Sequence, residues 1–149
     1  VCGAGVVKKY LNKISGPLLD RIDLHVEVTP VSIDELSRNE IESEKSFDIR
    51  ERVIRARQIQ EERFSHLEGV HSNTLMPSHL VREICLIDAA GTSLLKTAMK
   101  KLQLSARAYD RILKVSRTIA DLAGSKTIEI PHLAEAIHFR SLDREEWAG

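Results

Sequence analysis

Aromatic side chains make up only 4% of this chain of 149 residues, and that scarcity constrains anything it buries. A core poor in Phe, Tyr and Trp must be built from Leu, Ile, Val and Ala, which favours packed helices over a β-sandwich. Cysteine is equally thin: Cys2 and Cys85 are too few for a disulfide scaffold or a four-ligand metal site. Net charge is missing too. The 22 basic residues cancel the 22 acidic ones, so no global field draws the chain to nucleic acid or to an acidic membrane. No apolar run approaches the roughly 20 residues needed to cross a bilayer, and nothing resembles a signal peptide. The expectation is a cytoplasmic, reducing setting without a membrane partner. There is no Gly-x-x-x-x-Gly-Lys-Ser/Thr loop to cradle a nucleotide, no His-Glu-x-x-His and no Cys-x-x-Cys. The chain opens on Val1 in a Gly-containing stretch without a start signal, which points to a fragment.

What is present is enough for a core, with 42% apolar and 30% charged residues. From Ile22 to Val28 apolar and polar residues alternate, the period-2 mark of a strand with Ile22, Leu24, Val26 and Val28 on its buried face. Thr29-Pro30 ends it. No second run of this quality exists to pair with it.

After Pro30 the signals are helical. Ser32 to Glu35 fits a capping box for a short helix, and Glu40 to Lys45 is polar. Ser46, with Asp48 in the first turn, starts a long helix through Val53, Ala56, Ile59 and Phe64. Gly69 to Met76 reads as a loop. Pro77 opens a helix through Leu80, Ile84 and Ile87 that Gly91 interrupts, and Thr92 or Ser93 starts the next, through Leu95 and Met99. The clearest helix runs from Ser105 to Gly124, with Ala108, Ile112, Val115, Ile119 and Leu122 forming an apolar stripe and Gly124 as the C′ residue. Pro131 begins a last helix through Leu133, Ala136 and Ile137. The body from Ser46 onward is a helical bundle.

Several residues carry candidate chemistry. Arg107 falls in the first turn of a helix, where the macrodipole disfavours a cation but welcomes an anion. That conflict resolves if Arg107 reaches a phosphate, or if it merely points to solvent or pairs with Asp110. Around it Lys96, Lys100, Lys101, Arg111, Lys114 and Arg117 face only Asp110. Arg107, Arg111 and Lys114, spaced i, i+4, i+7, share one helix face opposite the apolar stripe, a track for nucleic-acid phosphates or a solvated surface. With Tyr109 the sole aromatic nearby, base stacking has little support. Arg21 follows Ser15-Gly16-Pro17 and a short apolar turn, a mount from which its planar fork can reach a phosphoryl group, unless Asp20 and Asp23 hold it. The histidines form no spacing suited to metal, and Cys85 reads as a small core residue.

Tyr10 to Val28 (YLNKISGPLLDRIDLHVEV), Leu104 to Leu122 (LSARAYDRILKVSRTIADL) and His132 to Arg140 (HLAEAIHFR), with Leu142-Asp143-Arg144, closely resemble the Mg-chelatase-like AAA+ ATPases of the ComM type, which are associated with bacterial competence and DNA recombination. Ile49, Arg50, Val53, Ala56, Arg57, Gln60, Arg63 and Phe64 fit the same pattern. The resemblance implies that residues 1–31 are the strand-containing end of an AAA+ α/β core and residues 32–149 its C-terminal helical lid. It implies that Arg21 is an arginine finger acting in trans and Arg107 the sensor-2 residue that approaches the ATP γ-phosphate. Lys100, Lys101, Arg111 and Lys114 are then candidates for nucleic-acid contact. It further implies ATP and Mg2+ as ligands of the intact protein, a homo-oligomeric ring of hexamer type, and DNA as partner. Cys2 matches the last member of a cysteine group whose other members are absent. The Walker A, Walker B and sensor-1 motifs would lie before Val1, so this chain alone is expected neither to bind ATP tightly nor to hydrolyse it. Two other functions compete: the lid of a metal-insertion (magnesium chelatase) ATPase, and a stand-alone helical interaction module.

Overall fold

The computed structural model describes Leu18, residues 21–26, Val28, residues 30–31 and residues 43–140. The capping box at Ser32, Cys2, and Leu142 to Arg144 lie outside these. Among the described residues five α-helices follow one another: α1 (Ser46–Phe64), α2 (Ser78–Ile84), α3 (Ala89–Lys101), α4 (Ala106–Leu122) and α5 (Ile130–His138), with a 3₁₀ turn at Asn73–Leu75. The mainly helical class and the long first helix stand as expected.

The described residues do not form the expected strand. Among the described residues no segment is a strand, and Val26 and Val28 are 66% and 87% exposed. An alternating pattern specifies a strand only where a second strand can take up its backbone groups. Here the segment bonds to the helical body instead: the His25 amide donates to the Phe139 carbonyl at 2.9 Å.

The boundary between α2 and α3 also differs from expectation. Helix α2 stops at Ile84, and Gly91 lies inside α3 rather than breaking a helix. The missed signal is Asp88, an N-cap whose carboxylate accepts from the Gly91 amide at 2.6 Å. A Cβ on Gly91 would meet the Asp88 Oδ1 and Ile87 Cβ at 3.2 Å and Leu133 Cδ2 at 3.4 Å, so this glycine lets α3 approach α5 closely.

Helix α4 is the central element, packing on α1, α2, α5 and the 3₁₀ turn, while α3 packs on α5. Its ends are well specified. The Ser105 hydroxyl accepts from the Ala108 amide at 3.3 Å. At the other end Gly124 has φ +69°, the Ser125 amide donates to the Ala120 carbonyl at 2.8 Å, and the Gly124 amide donates to the Asp121 carbonyl at 3.1 Å. That pair of bonds is a Schellman motif, which needs a residue free to adopt positive φ. Helix α5 carries Pro131 in its first turn, and the Glu129 amide donates to His132 Nδ1 at 3.0 Å.

The core runs through Phe64, Met76, Val81, Cys85, Leu95, Ile112, Leu113 and Leu133. Burial raises the Cys85 thiol to about 11, so it stays protonated and behaves as a small apolar side chain. On α1 the buried edge is Ala56, Gln60 and Phe64, whereas Val53 is 44% exposed. On α4 it is Ala108, Ile112, Leu113, Ser116, Arg117, Ala120 and Asp121. The expected stripe is therefore only partly inward: Val115 and Ile119 are half-buried and Leu122 is exposed.

The reason is a polar hub inside the core. The Asp121 carboxylate accepts from Arg63 Nη1 at 2.8 Å, from Asn73 Nδ2 at 2.8 Å and from Arg117 Nε at 3.0 Å, and it also pairs with Arg63 Nη2. Arg117 Nη1 and Nη2 donate to the Lys126 and Ser125 carbonyls, at 3.0 and 2.6 Å, and the Gln60 amide oxygen accepts from the Asn73 backbone amide at 3.1 Å. Every partner of the buried carboxylate is thus a donor on a different part of the bundle. Replacing Asp121 with Ala leaves Arg117 buried without its counter-charge, and such a loss costs about 3 to 5 kcal/mol. We expect urea unfolding of Asp121→Ala to show a loss of that size. A change below about 1 kcal/mol, within the range of ordinary substitutions, would mean the hub carries no structural weight.

Candidate functional site

Arg107 is the second residue of α4, exposed, with its side chain at the helix end where the unpaired backbone amides concentrate partial positive charge. Among the described residues no carboxylate pairs with it. Asp110, the neighbour able to hold it, instead accepts from the Ser78 hydroxyl at 2.6 Å.

The row Arg107, Arg111, Lys114 does line one face, but beside the apolar stripe rather than opposite it. Together with Leu24, Val115, Ile119, Leu122 and Phe139 these three basic residues line an open groove of about 590 Å³, which Asp23, Asp110 and Glu135 also enter. The arrangement follows from the rotation of α4 by its polar hub, which turns Val115 and Ile119 out to the flank of the core. Two of the three cations are already engaged. Arg111 Nη1 donates to the Arg21 carbonyl at 2.7 Å and pairs with the Asp23 carboxylate, and Lys114 Nζ donates to the Thr74 carbonyl at 2.9 Å. The row is therefore not a free track for phosphates. Arg107 alone of the three keeps its head group uncommitted among the described residues.

Arg21 is exposed, and its amide donates to the Leu18 carbonyl at 3.0 Å, closing a turn. Of the two acids that could have held its side chain, Asp20 lies outside the described residues and Asp23 pairs with Arg111. Lys100 and Lys101 are exposed in the last turn of α3, at the negative end of that helix. Arg117, counted with the basic residues of this region, is buried in the hub and takes no part.

The structure thus brings Arg21, Asp23, Arg107 and Arg111 into one neighbourhood and leaves Lys100 and Lys101 on another element. Sequence reasoning missed Arg140. It is 1% exposed, and its Nη1 donates to the Ile22 carbonyl, a backbone acceptor 118 positions away that no spacing rule could reveal. Among the described residues no group of three His, Cys, Asp or Glu could hold a metal ion, and no helix is long and apolar enough to cross a membrane.

Residues 43–140 match the family described as magnesium chelatase, subunit ChlI C-terminal, and residues 1–36 match magnesium chelatase, subunit ChlI. Among curated relatives, the Haemophilus influenzae protein named competence protein ComM is 42% identical over 138 residues, which is 93% of this chain and 26% of that protein. The Escherichia coli protein YifB is 38% identical over 136 residues, covering 91% of this chain and 26% of that one. A Mycobacterium tuberculosis protein is 34% identical over 140 residues, 94% of this chain and 27% of that one. The chain therefore spans about a quarter of the length of these relatives.

Because the Arg107 side chain is exposed and pairs with no described acid, its truncation should change stability by no more than about 0.5 kcal/mol. Thermal unfolding of Arg107→Ala checks this. A fall in Tm as large as that of a core substitution would make Arg107 a structural residue.

Proposed function

The chain belongs to the magnesium chelatase ChlI C-terminal family, and from that premise we propose that it is the lid end of a ring-forming, ATP-driven AAA+ motor that acts on DNA. In this reading Arg107 is the sensor-2 residue facing the γ-phosphate of ATP, and Arg21 is the arginine finger offered to ATP on a neighbouring subunit of a homo-oligomeric, hexamer-type ring. The supporting observation is that α4 carries Arg107 at its start, uncommitted among the described residues, and, one turn on, uses Arg111 to hold the backbone of Arg21 at 2.7 Å. The backbone of Arg21 is thereby tied to the helix that carries Arg107, 86 positions later.

The chemistry needs little more from this chain. Phosphoryl transfer gains from charge placed where it develops, on the γ-phosphate oxygens, and from groups held rigidly enough to meet it. Arg21 has a planar cationic fork on a turn tied to the helical body, and Arg107 stands at a helix start already favourable to anions. The described residues suit a phosphate reached from outside the lid but supply no ligand set for Mg2+, so Mg2+ and the remaining phosphate contacts belong elsewhere in the intact protein. Lys100 and Lys101, exposed together at the end of α3, are the candidates for DNA phosphates; Arg111 and Lys114 are occupied within the fold.

The lid of a metal-insertion ATPase is the competing reading, favoured by the family description itself. The 42% identity to a protein named for competence supports the DNA motor over it.

The test is Arg21→Ala in the full-length protein. Hydrolysis should fall by roughly 10³-fold or more, as loss of a finger does in related chemistry, while nucleotide binding stays close to wild type. Hydrolysis at the wild-type rate would return Arg21 to the surface as an ordinary exposed arginine.

A further inference from the structure

The geometry points to Arg111 as a positioning residue that acts through Arg21. This rests on the reading of Arg21 as the finger and adds what holds it in place. By spacing alone Arg111 is one cation in a surface row, but its guanidinium is spent inside the molecule. Nη1 donates to the Arg21 carbonyl at 2.7 Å and pairs with the Asp23 carboxylate, two residues on. A guanidinium can serve both acceptors at once because it is permanently charged and its donors are fixed in a plane.

The neighbouring contacts show that this is a clamp and not a chance surface pair. The next carbonyl, that of Ile22, accepts from the buried Arg140, and the His25 amide donates to the Phe139 carbonyl at 2.9 Å. Consecutive carbonyls at Arg21 and Ile22 are therefore both taken by arginines of the helical body, one from α4 and one from the turn after α5. Among the described residues, these bonds are what orient the segment. Arg140 is locked into the core, whereas the Arg111 side chain is 29% exposed and can be changed without opening a cavity. Arg111 also sits one turn after Arg107 on the same helix, so a displacement of the start of α4 is passed to the backbone of Arg21. A finger works only when placed within a fraction of an ångström, and a misplacement of about 1 Å can cost on the order of 10²-fold in rate.

The experiment uses the full-length protein with ATP turnover, nucleotide affinity and DNA affinity as readouts. Arg111→Ala should lower kcat by roughly 10²-fold with KM for ATP, nucleotide affinity and DNA affinity unchanged. Arg111→Lys, which keeps the charge but not the fork, should recover part of the loss. Because Arg111 acts only through Arg21, the double variant Arg21→Ala/Arg111→Ala should turn over no more slowly than Arg21→Ala. Wild-type kcat in Arg111→Ala beside a dead Arg21→Ala would overturn this inference and leave the finger reading standing. An additive loss in the double variant, or a fall in DNA affinity with kcat intact, would overturn it in favour of a separate role for Arg111. Wild-type turnover in Arg21→Ala would remove the finger reading and this inference together.

Discussion

Asp121 brings a carboxylate to a position with almost no exposed surface, and the bundle is arranged so that its oxygens are met from three sides. Removing a carboxylate from water is expensive, and ion pairs offset that expense only when geometry and hydrogen bonding are nearly complete. Here Arg63 comes from α1, Asn73 from the 3₁₀ turn and Arg117 from α4 itself, with Arg117 reaching on to the loop after α4. Such a hub is weak evidence for net stability, since a well-packed apolar cluster could do as well. Its consequence is register. With Asp121 and Arg117 turned inward, α4 can present only one row outward beside its apolar flank, and that row is Arg107, Arg111 and Lys114.

The basic flank of α4 follows from that rotation. Lys114 ties α4 to Thr74, whose neighbour Asn73 is in the hub. Arg111 ties α4 to the Arg21 backbone and Asp23, and Arg107 at the helix start pairs with none of the described acids. The two family matches, residues 1–36 and 43–140, therefore meet through these side chains. The described part of the first is bonded to the second through the Arg21 and Ile22 carbonyls and the His25 amide.

Much of this was legible in the sequence where the controlling interactions are local. The start of α4 at Ser105 and its stop at Gly124 could be read because a cap hydroxyl and a positive-φ glycine act within one turn. The last helix could be read for a similar reason at Pro131. Gly91 misled because the cap that matters, Asp88, lies three residues before it, and because the glycine serves close packing against Leu133 rather than a break. The alternation from Ile22 to Val28 misled because a period-2 pattern states what a strand needs and not whether a partner is present. Arg117 and Asp121 could not be recognised as buried. Periodicity scores them as polar, and their partners Arg63 and Asn73 lie 58 and 48 positions from Asp121. At the candidate site, Arg107 stood out physically as a cation at the wrong end of a helix, and Arg21 stood out through the family resemblance. The bonds from Arg111 and Arg140 to backbone carbonyls leave no trace in residue types at all.

In the proposed function Arg21 is held by its own lid but works on ATP bound elsewhere in the assembly. Mixing two kinds of full-length subunit tests this most directly. One carries Arg21→Ala and an intact ATP site, and the other keeps Arg21 but has its ATP site disabled. Each is expected to be inactive alone, and mixed assemblies should regain ATP hydrolysis because each subunit supplies what the other lacks. Mixtures that co-assemble yet stay inactive at every ratio would contradict the claim.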